Sequence, residues 1–163
     1  MGMHRSGSKI RRIEEDCMNR QNEMRIEFDS RSSNEGFARV AVAAFVTPLN
    51  PTLEEISDIK TAVSEAVTNA IIHGYENEIH KVCVECRING SLAEIVVEDS
   101  GCGIENIEQA MEPLYTTKPE QDRSGMGFAF MEAFMDRIEV KSEPGVGTKV
   151  TMWKEIGKEG EEW

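Results

Sequence analysis

One helical pattern constrains this chain more than any other stretch. It ends in Ser64-Glu65-Ala66-Val67-Thr68-Asn69-Ala70-Ile71-Ile72-His73-Gly74-Tyr75. Pro51 and Thr52 open the pattern, with Thr52 as N-cap and Glu55 as its capping-box partner. Ile56, Ile59, Val63, Val67, Ala70 and Ile71 recur at helical spacing and form a stripe to be buried. A helix turns ~100° per residue, so Glu65, Asn69 and His73 stack on successive turns of another face. Gly74 ends the helix. A carboxylate, a carboxamide and an imidazole in one column are by themselves an ordinary solvated face. The later sequence changes that reading, because two glycine-containing segments can close over the same face.

A chain of 163 residues fits one domain with a real core. Its formal net charge of −12 argues against sequence-independent binding to nucleic acid or to an anionic membrane, although a local basic patch stays open. The longest apolar run, Val40 to Val46, is far too short to span a bilayer. The first residues lack an apolar signal segment, so a cytoplasmic protein is expected. Of Cys17, Cys83, Cys86 and Cys102, the Cys83-x-x-Cys86 pair invites a zinc or redox reading. Its segment alternates as a strand, where residues three apart point to opposite faces. Cys86 therefore belongs to the core with Val82, Val84 and Ile88.

Residues 1–22 read as a flexible arm or a non-native extension, residues 23–155 as the domain, and residues 156–163 as an acidic tail. Met24 to Phe28 alternates as a first strand. Ser32-Ser33-Asn34-Glu35 reads as a capping box opening a helix whose apolar face is Phe37, Val40, Ala41, Ala44 and Phe45. Glu35 and Arg39 share its exposed face, either as an ion pair or as a docking surface. Lys81 to Ile88 and Leu92 to Glu98 are strands joined by a hairpin at Asn89-Gly90. A short helix follows at Ile107 to Met111. Residues 113–124 are polar, lack a hydrophobic period and read as a mobile loop. A helix then carries Phe130, Met131, Phe134 and Met135. Ile138 to Ser142 and Thr148 to Trp153 close the chain as a hairpin. Hairpin-linked strands with intervening helices predict an α+β, two-layer sandwich: a mostly antiparallel mixed sheet covered on one face by helices.

Three further signals are each weak. Asp99 stands at a strand end, with Gly101 and Gly103 after it, so backbone can approach a ligand while the carboxylate accepts from an amino group. Gly125-x-Gly127 opens a helix, where free N–H groups and the dipole suit phosphate, and Lys118 and Arg123 precede it. Gly147-Thr148 enters the last strand.

Their conjunction is specific. Glu-x-x-x-Asn on a helix, Asp-x-Gly-x-Gly, a loop, Gly-x-Gly and Gly-Thr occur in one order within one domain. This resembles the Bergerat-type ATP-binding fold (GHKL) of gyrase-type ATPases, a heat-shock chaperone, histidine kinases and the MutL mismatch-repair protein. The runs Phe37 to Val46, Ser64 to Tyr75, and Leu114-Tyr115-Thr116-Thr117-Lys118-Pro119 through Arg123-Ser124-Gly125-Met126-Gly127-Phe128 are similar to the sporulation anti-sigma F family. The likeness covers about residues 23–154.

The resemblance implies an ATP-dependent serine kinase. Asn69 would hold Mg²⁺ on the phosphates and Glu65 would be the base that readies the attacking hydroxyl. Asp99 would bind the adenine amino group, with Thr148 supporting that end, and His73 would belong to the nucleotide site. Gly101 and Gly103 would allow close approach. Ser124, Gly125, Met126, Gly127 and Phe128 would cradle phosphates. Thr116, Thr117 and Lys118 would belong to a lid whose Arg123 meets the γ-phosphate. Such a protein binds the sporulation sigma factor F as a homodimer, with ATP or ADP, and phosphorylates a serine of an anti-anti-sigma protein. Arg39 matches the shared partner surface, with Glu35 as companion. The general-stress anti-sigma kinases share the chemistry with other partners. An ATP-gated binding module without transfer is a further reading, which Glu65 opposes, and a histidine-kinase catalytic domain is another. No direct contact with nucleic acid or membrane is implied.

Overall fold

Apolar and polar residues alternate along most of the strand segments, so each has one face to bury. In the computed structural model, which describes residues 21–112 and 127–157, those faces join in one sheet. Its strands are β1 (Gln21–Asp29), β2 (Lys81–Asn89), β3 (Leu92–Asp99), β4 (Arg137–Glu143) and β5 (Gly147–Glu155). They lie in the order β1-β2-β3-β5-β4, and every pairing is antiparallel. The register aligns Ile26, Val84, Val97, Val150 and Val140 in one row and Met24, Cys86, Ile95, Met152 and Ile138 in another. These rows make the inner face. Cys83 and Cys86 point to opposite faces of β2, with Cys86 fully buried and Cys83 half-buried. Burial pushes the Cys86 thiol up to about 12.

Helix α1 (Asn34–Val46), α2 (Leu53–Asn69), α3 (Ile107–Ala110) and α4 (Gly127–Phe134) follow the chain between these strands. The start of α2 is as its sequence dictates: the Thr52 hydroxyl accepts from the Glu55 N–H, and the Glu55 carboxylate accepts from the Thr52 N–H. Ile59, Val63, Val67, Ala70 and Ile71 are buried, while Ile56 packs against the core from its edge. Burying each large aliphatic side chain contributes about 2 kcal/mol. The second Glu55 oxygen accepts from the Gly157 N–H, tying the end of β5 to α2. Strand β1 reaches back to Gln21, and Ile156, beyond β5, is buried in the core.

Two local expectations are corrected. Ser33 at the start of α1 takes helical backbone angles (φ −64, ψ −22), and no side chain caps the first turn there. A helical N-cap aims its hydroxyl away from the first N–H groups. The buried face of α1 is Ala38, Val42, Ala43 and Val46, whereas Phe37 and Val40 are 53% and 56% exposed. Almost every residue from 37 to 46 is apolar, so composition alone defines no stripe. Packing against α2 chooses the face.

Candidate functional site

The last turn of α2 is where local sequence and tertiary packing meet. The α-helix ends at Asn69 and continues as a π-helical turn, Ala70–Gly74. Gly74 is needed there for close approach rather than for a left-handed conformation. A Cβ on it would come within 2.8 Å of the Asp99 carboxylate. Gly101 backs onto the same turn, because its Cβ would meet the Gly74 carbonyl at 2.1 Å. The Gly74 carbonyl accepts from the Cys102 N–H at 2.8 Å. Gly103, at φ +75, faces the Glu143 carbonyl, where a Cβ would lie 2.3 Å away. The missing side chains at Gly101 and Gly103 thus let the loop seat against protein backbone, between α2 and the β4–β5 turn.

Tyr75 completes the α2 side of this clamp. Its hydroxyl accepts from the Ser100 N–H at 2.8 Å and donates to the Lys81 carbonyl. Burial is the main reason its phenol titrates above the usual range. Tyr75→Phe leaves the Ser100 N–H without this acceptor and should cost about 1–3 kcal/mol. Denaturant unfolding measures this, and a loss under roughly 0.5 kcal/mol would show that the bridge does not hold the loop. On the other side, the Ser142 hydroxyl accepts from the Ile104 N–H at 2.8 Å, and the Cys102 carbonyl accepts from the Gly145 N–H at 2.8 Å.

Asp99 lies inside this frame, 8% exposed. Burial raises its carboxyl from the usual range to about 6, while the Gly101 and Thr148 N–H groups pull the other way by bonding the ionised form. Asp99 and Thr148 are cross-strand partners on the inner face. Together with Asn69, His73, Gly103 and Phe128 they line a cavity of about 470 Å³. A buried carboxylate at the wall of such a cavity can accept a hydrogen bond from a ligand N–H.

Another wall of the site is built by α2 and α4. A Cβ on Gly127 would stand 3.2 Å from Glu65 Oε2, 3.1 Å from Asn69 Nδ2 and 3.3 Å from Asn69 Oδ1. The first residue of α4 therefore sits against the Glu65 and Asn69 side chains, and the column expected from α2 faces the start of a second helix. Oxygen ligands beside a helix N-terminus can hold a hard cation together with an anion. Thr116, Thr117, Lys118, Arg123, Ser124, Gly125 and Met126, with the expected lid, lie outside the described residues. Arg39 stands apart from the cavity on the exposed side of α1 and pairs with Glu35 at 3.6 Å.

A larger hollow, about 570 Å³, opens on the uncovered side of the sheet. Its cations are engaged locally: Arg25 with Glu85 at 2.6 Å and Lys81 with Asp29 at 2.7 Å. The cavity beside Asp99 is the candidate site, because it joins Asp99 and Thr148 to the Asn69 face of α2.

Sequence reasoning gave Tyr75 and Ser142 no role in the site, and read Gly74 only as a helix stop and Gly147 only as part of the Gly-Thr signal. Each acts through a residue distant in the chain, and no spacing within a local window signals such contacts. A Cβ on Gly147, for example, would lie 2.1 Å from the Asp99 carbonyl.

Residues 28–154 match the family described as histidine kinase-like ATPase domain. A Clostridium beijerinckii protein named anti-sigma F factor is 63% identical over 136 residues, covering 83% of this chain and 95% of its own length. Its namesake from Clostridium kluyveri is 61% identical over 133 residues, covering 82% and 94%. One from Oceanobacillus iheyensis is 57% identical over 139 residues, covering 85% and 95%. Residues 28–154 include α2, the Asp99 loop and the strands that frame them, and the chain belongs to the anti-sigma F factor family within the histidine kinase-like ATPase domains.

Proposed function

We propose that this protein is an ATP-dependent anti-sigma factor and serine kinase. It binds sigma factor F as a homodimer and phosphorylates a serine of an anti-anti-sigma protein. The observation that carries the reading is the convergence of Glu65 and Asn69 on Gly127, with Asn69 lining the same cavity as Asp99. A nucleotide spans such a site with its base at Asp99 and Thr148 and its phosphates at the start of α4. The names of the relatives support the sigma-factor half of the proposal.

The residues present fit a magnesium nucleotide. Mg²⁺ takes few protein oxygens and keeps phosphate and water ligands, so one carboxamide beside a phosphate-binding helix start suits it. Asn69 would hold the ion, which when bound neutralises charge on the phosphates. Glu65, one turn earlier, stands on the same face and accepts the proton of the attacking hydroxyl. Arg123, with Lys118, would meet the γ-phosphate. Among the described residues, no helix is long and apolar enough to cross a membrane.

The test is calorimetric titration with Mg-ATP, followed by transfer of radiolabelled phosphate from ATP to candidate anti-anti-sigma proteins. Asn69→Ala should lose Mg-dependent nucleotide binding and stay folded, because Asn69 lies off the buried stripe. Unchanged Mg-ATP affinity in that variant would remove Asn69 from the metal site.

Arg39 is proposed for the partner surface. An exposed ion pair on one helix contributes only a few tenths of a kcal/mol, so stability gives little reason for it. Arg39→Ala should weaken sigma-factor or anti-anti-sigma binding about tenfold or more, with ATP affinity unchanged. Normal binding of both partners would leave only the pair with Glu35.

A further inference from the structure

The register places Phe28, Val82, Asp99, Thr148 and Ser142 in one row across all five strands, on the helix-covered face. Ser142 ends this row one strand beyond Thr148. Its hydroxyl has three partners: the Ile104 N–H at 2.8 Å, the Gly147 carbonyl at 3.0 Å and the Thr148 hydroxyl at 2.8 Å. The first can only donate and the second can only accept. Ser142 has one proton and two lone pairs. All three contacts are hydrogen bonds in one arrangement alone. Ser142 donates to the Gly147 carbonyl and accepts from both Ile104 N–H and Thr148 O–H.

The proton of Thr148 is thereby spent on Ser142, and the hydroxyl turns only lone pairs toward the cavity that it lines. Its cross-strand neighbour Asp99 is also an acceptor. Directly opposed side chains start about 5 Å apart at their Cβ atoms. This end of the cavity therefore offers two acceptors side by side. Such a pair suits an exocyclic amino group and repels a carbonyl oxygen in the same place.

We propose that Ser142 is a specificity-determining positioning residue. By fixing the direction of the Thr148 hydroxyl, it makes the site choose a 6-amino purine over a 6-oxo purine. The inference rests on the nucleotide reading above and adds to it the residue that sets base preference. Without Ser142, the Thr148 hydroxyl can rotate and donate to a carbonyl oxygen.

The probes are ATP and inosine triphosphate, which differ at the 6-position of the purine and in the proton carried by its N1. Dissociation constants for both are measured with the wild type, Ser142→Ala and Ser142→Thr. The wild type should prefer ATP. Ser142→Ala should narrow that preference about tenfold, the scale of one mismatched polar contact in a buried site. Ser142→Thr keeps a hydroxyl and should restore it. A purely structural role would weaken both nucleotides equally and leave the ratio unchanged, and that result overturns the proposal. Should Ser142→Ala fail to fold, Thr148→Val decides: with the hydroxyl gone the preference should narrow, and an intact preference rejects the mechanism. A wild type that binds ATP and inosine triphosphate equally refutes the specificity claim alone, whereas one that binds neither refutes the nucleotide reading with it.

Discussion

Glu65→Gln should lose serine phosphorylation by about 10²- to 10⁴-fold while keeping ATP and sigma-factor binding. A serine hydroxyl is a weak nucleophile at neutral pH, and a carboxylate in reach takes its proton as the new bond forms. Glu65 is suited to that by place: its Oε2 and the Asn69 side chain both face the start of α4. Glutamine keeps the size and a hydrogen bond but cannot take the proton. Single-turnover transfer to an anti-anti-sigma protein separates chemistry from binding. Transfer at the wild-type rate would mean that Glu65 is not the base. Loss of ATP binding would move it into the cofactor shell, leaving transfer without an assigned base.

Asp99→Asn should cut affinity for adenine nucleotides about a hundredfold and at the same time stabilise the nucleotide-free protein. The loss is that of a hydrogen bond to a buried charged acceptor. The gain follows from linkage. Folding raises the carboxyl from 3.8 to about 6, chiefly by burial. Between those values the folded state holds more protons than the unfolded state, so this group's contribution falls as pH rises through the window. Above it, the buried carboxylate costs about 3 kcal/mol on an order-of-magnitude scale. Asparagine removes the charge but replaces one acceptor oxygen by an N–H donor, so the Gly101 and Thr148 N–H groups keep one acceptor oxygen between them. The net gain should be roughly 1–2 kcal/mol at pH 8, measured by denaturant unfolding.

The same carboxyl sets a pH dependence for the ligand. The ionised form accepts most strongly from the backbone N–H groups and a ligand amino group, whereas protonation turns one oxygen into an O–H donor. Affinity for adenosine, which lacks titrating phosphates, should fall about tenfold per pH unit below about 6 and be flat above it. A flat profile from pH 5 to 8 would show that the ionised Asp99 is not the acceptor.

Much of the site was legible because its signals are local. Glu65, Asn69 and His73 share a face through helical geometry alone, and the capping box at Thr52 fixed where that helix starts. Strand alternation separated Cys86 from Cys83, and the hairpin was legible from Asn89-Gly90, although Asn89 stays paired with Leu92 and the two loop residues are Gly90, with φ +65, and Ser91. Helix α1 was misread for the opposite reason. Phe37, Val40 and Ala44 are as apolar as Ala38, Val42 and Val46, so periodicity could not choose between faces.

By itself, the sequence determined which side chains share a helix turn or a strand face, since those periods are set by the backbone within a few residues. Only the tertiary structure decided which of those faces meet. Glu65 reaches Gly127, 62 residues later, because α2 and α4 pack together. The Tyr75 hydroxyl meets Ser100, 25 residues on, and Ser142 meets Ile104 across 38 residues. Such contacts depend on strand register and on closing long loops, and a slip of one residue in β5 would turn Thr148 to the other face of the sheet.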